Sequence, residues 1–238
     1  MTDGTAENTA ARQATTLGFI AGYVDTLGFV ALFGLFTAHV TGNFVLIGAE
    51  LAGSGRGGVL IKLLAFAAFV VAVACTRLYI LRLERGGHAP LRSVLGLQLL
   101  LLGAFMALGL LADPLRAPDA PLALLAGAAG AAAMGVQNAY ARLLLQNLTP
   151  TTVMTGNVTQ LVLDLVDVGR GAADGTVRQR CVKFMWPVAA FGLGAIGGAF
   201  AYIYAGFYGL LPPMALLAWL MAAQAPGDRP RTVPVNRV

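Results

Sequence analysis

The stretch FTAHVTGNFVLIGAEL, Phe36 to Leu51, decides how this chain is read. Its Thr41-Gly42-Asn43 returns as Thr155-Gly156-Asn157, 114 residues later, again in apolar surroundings. Gly42 to Leu51 is a run of 10 residues ahead of the breaker GSGRGG at 53–58. Ten residues make about 15 Å of helix, half of the ~30 Å hydrocarbon layer of a bilayer. The segment is expected to be a helix too short to cross.

Composition sets that short helix inside a membrane protein. Of 238 residues, 58% are hydrophobic and 11% charged, against about 45–50% and about 25% in soluble domains. The apolar residues gather in runs of about 20 separated by polar breaks, the length that spans hydrocarbon. These runs lie at 17–36, 59–81, 93–111, 121–141, 182–204 and 206–223, the last bent at Pro212-Pro213. Residues 1–14 and 225–238 read as disordered cytoplasmic tails. The Pro-rich break 113–120 reads as an external linker between a first membrane repeat, 15–112, and a second, 121–224.

Lys plus Arg exceed Asp plus Glu by 16 to 11, a net charge of +5. The excess sits beside apolar runs, where positive charge fixes topology, and neither a basic run nor an aromatic platform points to nucleic acid. Cys75 and Cys181 supply neither a disulfide framework nor four metal ligands. They read as small buried residues, and no metal or cofactor is expected.

Two basic breaks separate the topologies. Arg82, Arg85 and Arg92 mark one; Arg170, Arg178, Arg180 and Lys183 mark the other. With eight crossings these breaks fall on opposite sides. With six, the two Thr-Gly-Asn helices dipping in and returning, both breaks and both termini are cytoplasmic, as the positive-inside bias requires. Each half then crosses three times, an odd number, so the copies are inverted. The expected fold is an all-α polytopic membrane protein of two inverted repeats, each of three transmembrane helices plus a half-helix beginning at Thr-Gly-Asn. Few residues separate Phe36 from the first half-helix, so the first span is expected to end early, near Gly28 or Gly34.

Aligning the halves extends the match. Glu50 and Asp164 each lie nine residues after the threonine, two turns beyond the asparagine and on its face. Upstream, Gly22-Tyr23-Val24-Asp25 pairs with Gly135-Val136-Gln137-Asn138. GYVDTLGF with GLFTAHVTGN in the first half, and MGVQNAYAR with TTVMTGN in the second, resemble the YoaK-like family of bacterial inner-membrane proteins, a domain of unknown function. The resemblance covers about 15–225. It implies a multi-pass protein of the bacterial inner membrane and brings no substrate with it.

A helix start offers unpaired N–H groups and a partial positive charge; threonine caps it, glycine admits close approach, and asparagine donates or accepts. Two such starts facing each other, with Asp25 opposite Asn138, outline a polar midplane site. Its candidate residues are Asp25, Thr41, Gly42, Asn43, Asn138, Thr155, Gly156 and Asn157, with His39, Glu50, Gln137, Arg142 and Asp164 in secondary positions. The plainer reading is that the motifs only cap and pack two half-helices. An intramembrane carboxylate such as Asp25 is a functional candidate; the alternative is a structural charge neutralised by Arg142 or Lys62. Glu50 and Asp164 read as solvated helix ends, and His39 as a loop residue without metal companions.

The function expected is a non-enzymatic transporter or channel for a small polar or ionic solute. No metal-binding His-Glu pair, no Gly-x-Ser-x-Gly and no nucleophile with a base is visible. The rival is a non-transporting scaffold or accessory subunit. The partners that fit are the lipid bilayer, the solute and further copies of the chain in a homo-oligomer.

Overall fold

A computed structural model describes residues 2–54, 57–146, 148, 154–172 and 174–224. The helices are α1 Thr2–Ala31, α2 Gly42–Leu51, α3 Val59–Arg85, α4 Pro90–Ala112, α5 Pro121–Leu144, α6 Met154–Gly169, α7 Gly175–Ala205 and α8 Leu211–Ala223, with a 3-10 turn at Gly206–Leu210. No strand occurs among the described residues. Five stretches are long and apolar enough to cross a membrane: Thr9–Ala31, Val59–Arg85, Pro90–Ala112, Pro121–Leu144 and Gly175–Ala223, the last containing both α7 and α8. In hydrocarbon a helix pairs its own backbone groups, which water is not there to do. Leu100, Leu111, Leu193, Ile196 and Ile203 lie exposed on these helices, the apolar outer surface that lipid covers. The chain is a multi-pass membrane protein.

Element limits follow the sequence closely at the first motif. α2 occupies Gly42–Leu51, the run that the breaker at 53–58 delimits. α1 ends at Ala31, as the shortage of return chain requires. Its end is closed by Leu32 N–H donating to the Gly28 carbonyl and Gly34 N–H to the Phe29 carbonyl, a Schellman-type stop. Phe33 and Gly34 both have left-handed backbone, φ 55° and 78°.

Several limits differ from expectation. α1 begins at Thr2, so the polar stretch expected as an irregular tail is helical from there; its Ala, Glu, Gln and Arg are good helix formers that extend an existing span. The other expected tail, 225–238, lies outside the described residues. α6 starts at Met154 and runs for 16 residues, about 24 Å, which places Thr155-Gly156-Asn157 in its first turn and makes it longer than a half-helix. Pro212 and Pro213 do not bend a helix. They open α8, where a missing N–H leaves no bond unmade, and the chain bends just before them, in the 3-10 turn. Cys75 is exposed and Cys181 half-exposed rather than buried; α3 is apolar on all sides, so its pattern does not mark an inward face.

The packing gives each helix a direction relative to its neighbours. α1 lies along α7, with Gly18 against Pro187, Gly22 against Phe191 and Tyr23 against Gly198. Numbers rise together, so the pair is parallel. α3 and α5 are parallel too, with Ile61 near Gly127 and Phe69 near Gly135. α1 and α5 run oppositely: Thr37 packs on both Gly28 of α1 and Gly130 of α5, whereas the Leu17 carbonyl accepts from Gln137. α4 and α8 are likewise antiparallel, Gly96 lying near Met221 and Gly103 near Met214. It follows that the basic C-terminal end of α3 and the basic N-terminal end of α7 lie at the same end of the bundle.

Candidate functional site

The polar centre forms where the chain leaves α1, unwinds over 32–41 and restarts as α2. Asp25 lies six residues before the end of α1 and is 3% exposed. Its Oδ1 accepts the N–H of Ala38 at 2.6 Å and of His39 at 3.3 Å, and lies 3.5 Å from the Thr37 hydroxyl. Its Oδ2 is 2.6 Å from His39 Nδ1. The unwound backbone therefore folds back beside α1 and hands its free N–H groups to a carboxylate, which offsets their exposure to hydrocarbon. Neither Arg142 nor Lys62, the partners expected for Asp25, makes this contact. The His39 side chain is 37% exposed and its ring meets Phe36 and Phe191 edge-on.

The Thr-Gly-Asn residues divide the work. Asn43, buried, accepts from the Phe36 N–H at 2.9 Å and donates to the Phe36 carbonyl at 2.8 Å. An amide copies the peptide pairing of a strand and holds the unwound segment to the start of α2. Thr41 stands at the helix start without a side-chain capping bond, and it is exposed. Gly42 packs on Phe36 and His39.

The two acids are not solvated ends, as their position in sequence implied. Glu50 meets Lys62 Nζ at 2.7 Å, with side chains 6% and 1% exposed. Asp164, buried, receives Arg180 in a two-pronged contact, Nε at 2.8 Å and Nη2 at 2.6 Å, and Gln160 at 2.8 Å. In both halves the acid of the short helix is paired to a cation near the start of the next one. Burial by the following helix is the cause, and hydropathy does not register it.

A family model described as Protein of unknown function (DUF1275) matches residues 13–223. The chain belongs to the DUF1275 family. This agrees with the resemblance of its paired motifs, and both Thr-Gly-Asn segments fall within the matched region. No curated protein and no solved structure matches the chain.

In the second half of this DUF1275 chain, the counterparts of the Asp25 site take other roles. Asn138 donates to the Met134 carbonyl of its own helix. Its neighbour Gln137 reaches Leu17, eight residues before Asp25 or about 12 Å along α1, so Asn138 does not stand opposite Asp25. Gln137 belongs to a buried chain: Tyr140 donates to Gln98, Gln98 to Gln137, and Gln137 to the Leu17 carbonyl. This network ties α1, α4 and α5. Gln98 and Tyr140 are absent from the sequence candidates, and their signal is a lone amide and a phenol in apolar runs. Asn157 is buried with its amide 3.5 Å from Met154 Sδ. Thr155 and Gly156 are exposed, as is Arg142 in the last turn of α5.

The two short helices do not face each other: among the described residues α2 packs on α3 and α6 on α7. Both starts nonetheless approach the α1–α7 pair. His39 touches Phe191, and Met154 lies beside Gly18 and Pro187. Along α1 the residues they reach, Asp25 for His39 and Gly18 for Met154, are seven apart, about 10 Å. Among the described residues no group of three potential metal ligands occurs.

Proposed function

We propose that this protein carries a small polar or ionic solute across the bacterial inner membrane, at a site formed where the unwound segment and the start of α6 meet the α1–α7 pair. The observation that carries the reading is the buried Asp25 carboxylate with a partly exposed imidazole 2.6 Å away. It lies at a helix break inside the bundle. Irregular backbone at membrane depth is tolerated where it is buried or lines a cavity, and a carboxylate–imidazole pair exchanges a proton readily. The pair is suited to couple movement of the solute to a proton.

Helix directions support six crossings by two inverted repeats, with both termini cytoplasmic. The first helices of the halves, α1 and α5, run oppositely, and each lies parallel to the third segment of the other half. The chain between α1 and α3 then enters and returns on one side, and the two basic breaks share the cytoplasmic side. In this reading the protein is not an enzyme, uses no cofactor, and has the bilayer and the solute as partners.

Proteoliposomes given gradients of potassium, methylammonium, chloride or acetate test the proposal. Flux of at least one solute above protein-free vesicles is expected, at least tenfold lower in Asp25→Asn. Wild-type protein inert to all four, with correct insertion verified, overturns it for these solutes. The second reading, a scaffold or accessory subunit, is favoured by Asn43 and Gln137, whose side chains are spent inside the fold. It predicts that substitutions there lower stability while no solute crosses.

A further inference from the structure

Lys62 is 1% exposed, and its ammonium is enclosed by oxygens from three other places. Glu50 Oε1, at the end of α2, is 2.7 Å away; the Gly57 carbonyl, before α3, is at 3.3 Å; the Phe33 carbonyl, past the end of α1, is at 3.4 Å. Three acceptors match the three donors of an ammonium. Phe33 supplies its carbonyl from left-handed backbone, φ 55°, a conformation that costs a bulky residue free energy. The remaining carboxylate oxygen, Glu50 Oε2, is buried without a hydrogen-bond partner. A buried acceptor left unmet is costly, and this one belongs to the same cage.

We propose that the junction of α1, α2 and α3 is a binding site for one monovalent cation the size of potassium or an alkylammonium, and that Lys62 is its tethered occupant. One carboxylate and two carbonyls carry a single negative charge, matched by a single positive one. Separations of 2.7–3.4 Å exceed the 2.3–2.6 Å of calcium and the 2.0–2.1 Å of magnesium. Backbone carbonyls that replace a hydration shell are how proteins hold bare monovalent cations. The oxygens come from α2, from the turn after α1 and from the chain just before α3, so withdrawing the flexible lysine stem leaves them to a free cation, with Glu50 Oε2 as a further ligand. The inference does not depend on transport.

Lys62→Ala and Lys62→Met, purified without potassium or ammonium, test this by their melting temperature. Potassium chloride and methylammonium chloride are titrated in separate arms, with N-methylglucamine chloride as the ionic-strength control. A saturable rise of about 5 °C is expected for both variants with potassium or methylammonium, none with N-methylglucamine, and none for the wild type. Adding Glu50→Gln to Lys62→Ala abolishes it. No saturable response in either single variant, or the same response in the double variant, overturns the proposal. Should the variants be recovered folded only when potassium or methylammonium is present during extraction, that supports it; recovery in neither salt counts against it.

Discussion

Asp25 touches the unwound segment through both oxygens and is its main anchor. Asp25→Asn keeps the shape but removes the charge, and with its carbonyl oxygen on the Ala38 and His39 N–H groups it sets an amide NH2 against His39 Nδ1. A loss of about 2–4 kcal/mol is expected, since hydrogen bonds to a charged group are worth about 1.5–3 kcal/mol each, and it is read as a lower melting temperature in detergent. Asn43 yields an ordering. Asn43→Ala leaves the Phe36 N–H and carbonyl unpaired, whereas Asn43→Asp keeps the first bond and sets a carboxylate against the carbonyl. The aspartate variant should melt below the alanine variant; the reverse order removes Asn43 as a peptide-like strut. Asp25 was legible because a charge in an apolar run stands out. Its partner was not, because His39 is brought back by the left-handed reversal at Phe33 and Gly34, which no periodicity marks. Lys62, expected for Asp25, takes Glu50 instead, because ion pairing follows depth and approach rather than the mere presence of opposite charge.

At the scale of elements, α2 was legible to the residue because the Thr-Gly-Asn helix start bounds it on one side and the glycine-rich breaker on the other. Helix faces were less so, since a span apolar all round does not declare which side meets protein. The α1–α7 seam turns on close approach. A Cβ at Gly22 would collide with the Phe191 carbonyl, whereas one at Gly192 meets nothing. Gly22→Ala should therefore destabilise by about 1–3 kcal/mol, while Gly192→Ala gains about 0.5–1 kcal/mol of helix propensity; thermal melts of the two variants check the opposite signs. The start of α7 is expected to respond to acid. The Thr176 hydroxyl, then the Val177 N–H, hold the Asp174 carboxyl below its usual range, at 2.6 Å and 2.9 Å. A carboxyl depressed by folding stabilises above its unfolded pKa of about 4 and loses that contribution as pH falls through the lower folded value. Amide-exchange protection of the first turn of α7 should fall in acid for the wild type and stay level for Asp174→Asn, which caps at any pH.

For the whole molecule, hydropathy made the membrane class and most spans legible, and the repeated motif raised the expectation of two repeats. The sharing of α1 with α7 and α3 with α5 was hidden, since it joins glycines to carbonyls far apart in sequence. Single cysteines introduced as Gly86→Cys and Gly171→Cys, in a chain lacking Cys75 and Cys181, should both react with an impermeant maleimide only from the cytoplasmic side. Reaction from opposite sides restores eight crossings and parallel repeats. The Asp25 anchor also bears on how the protein is made. Its hydrogen-bond partners follow within 14 residues, so these bonds need only the first hairpin. The bond from Gln137 to Leu17 closes over 120 residues and must wait for the second half. Local contacts tend to form ahead of distant ones, so the hydrogen bonds of the first break are expected to precede the seam with α7 and α5, on which its packing then depends.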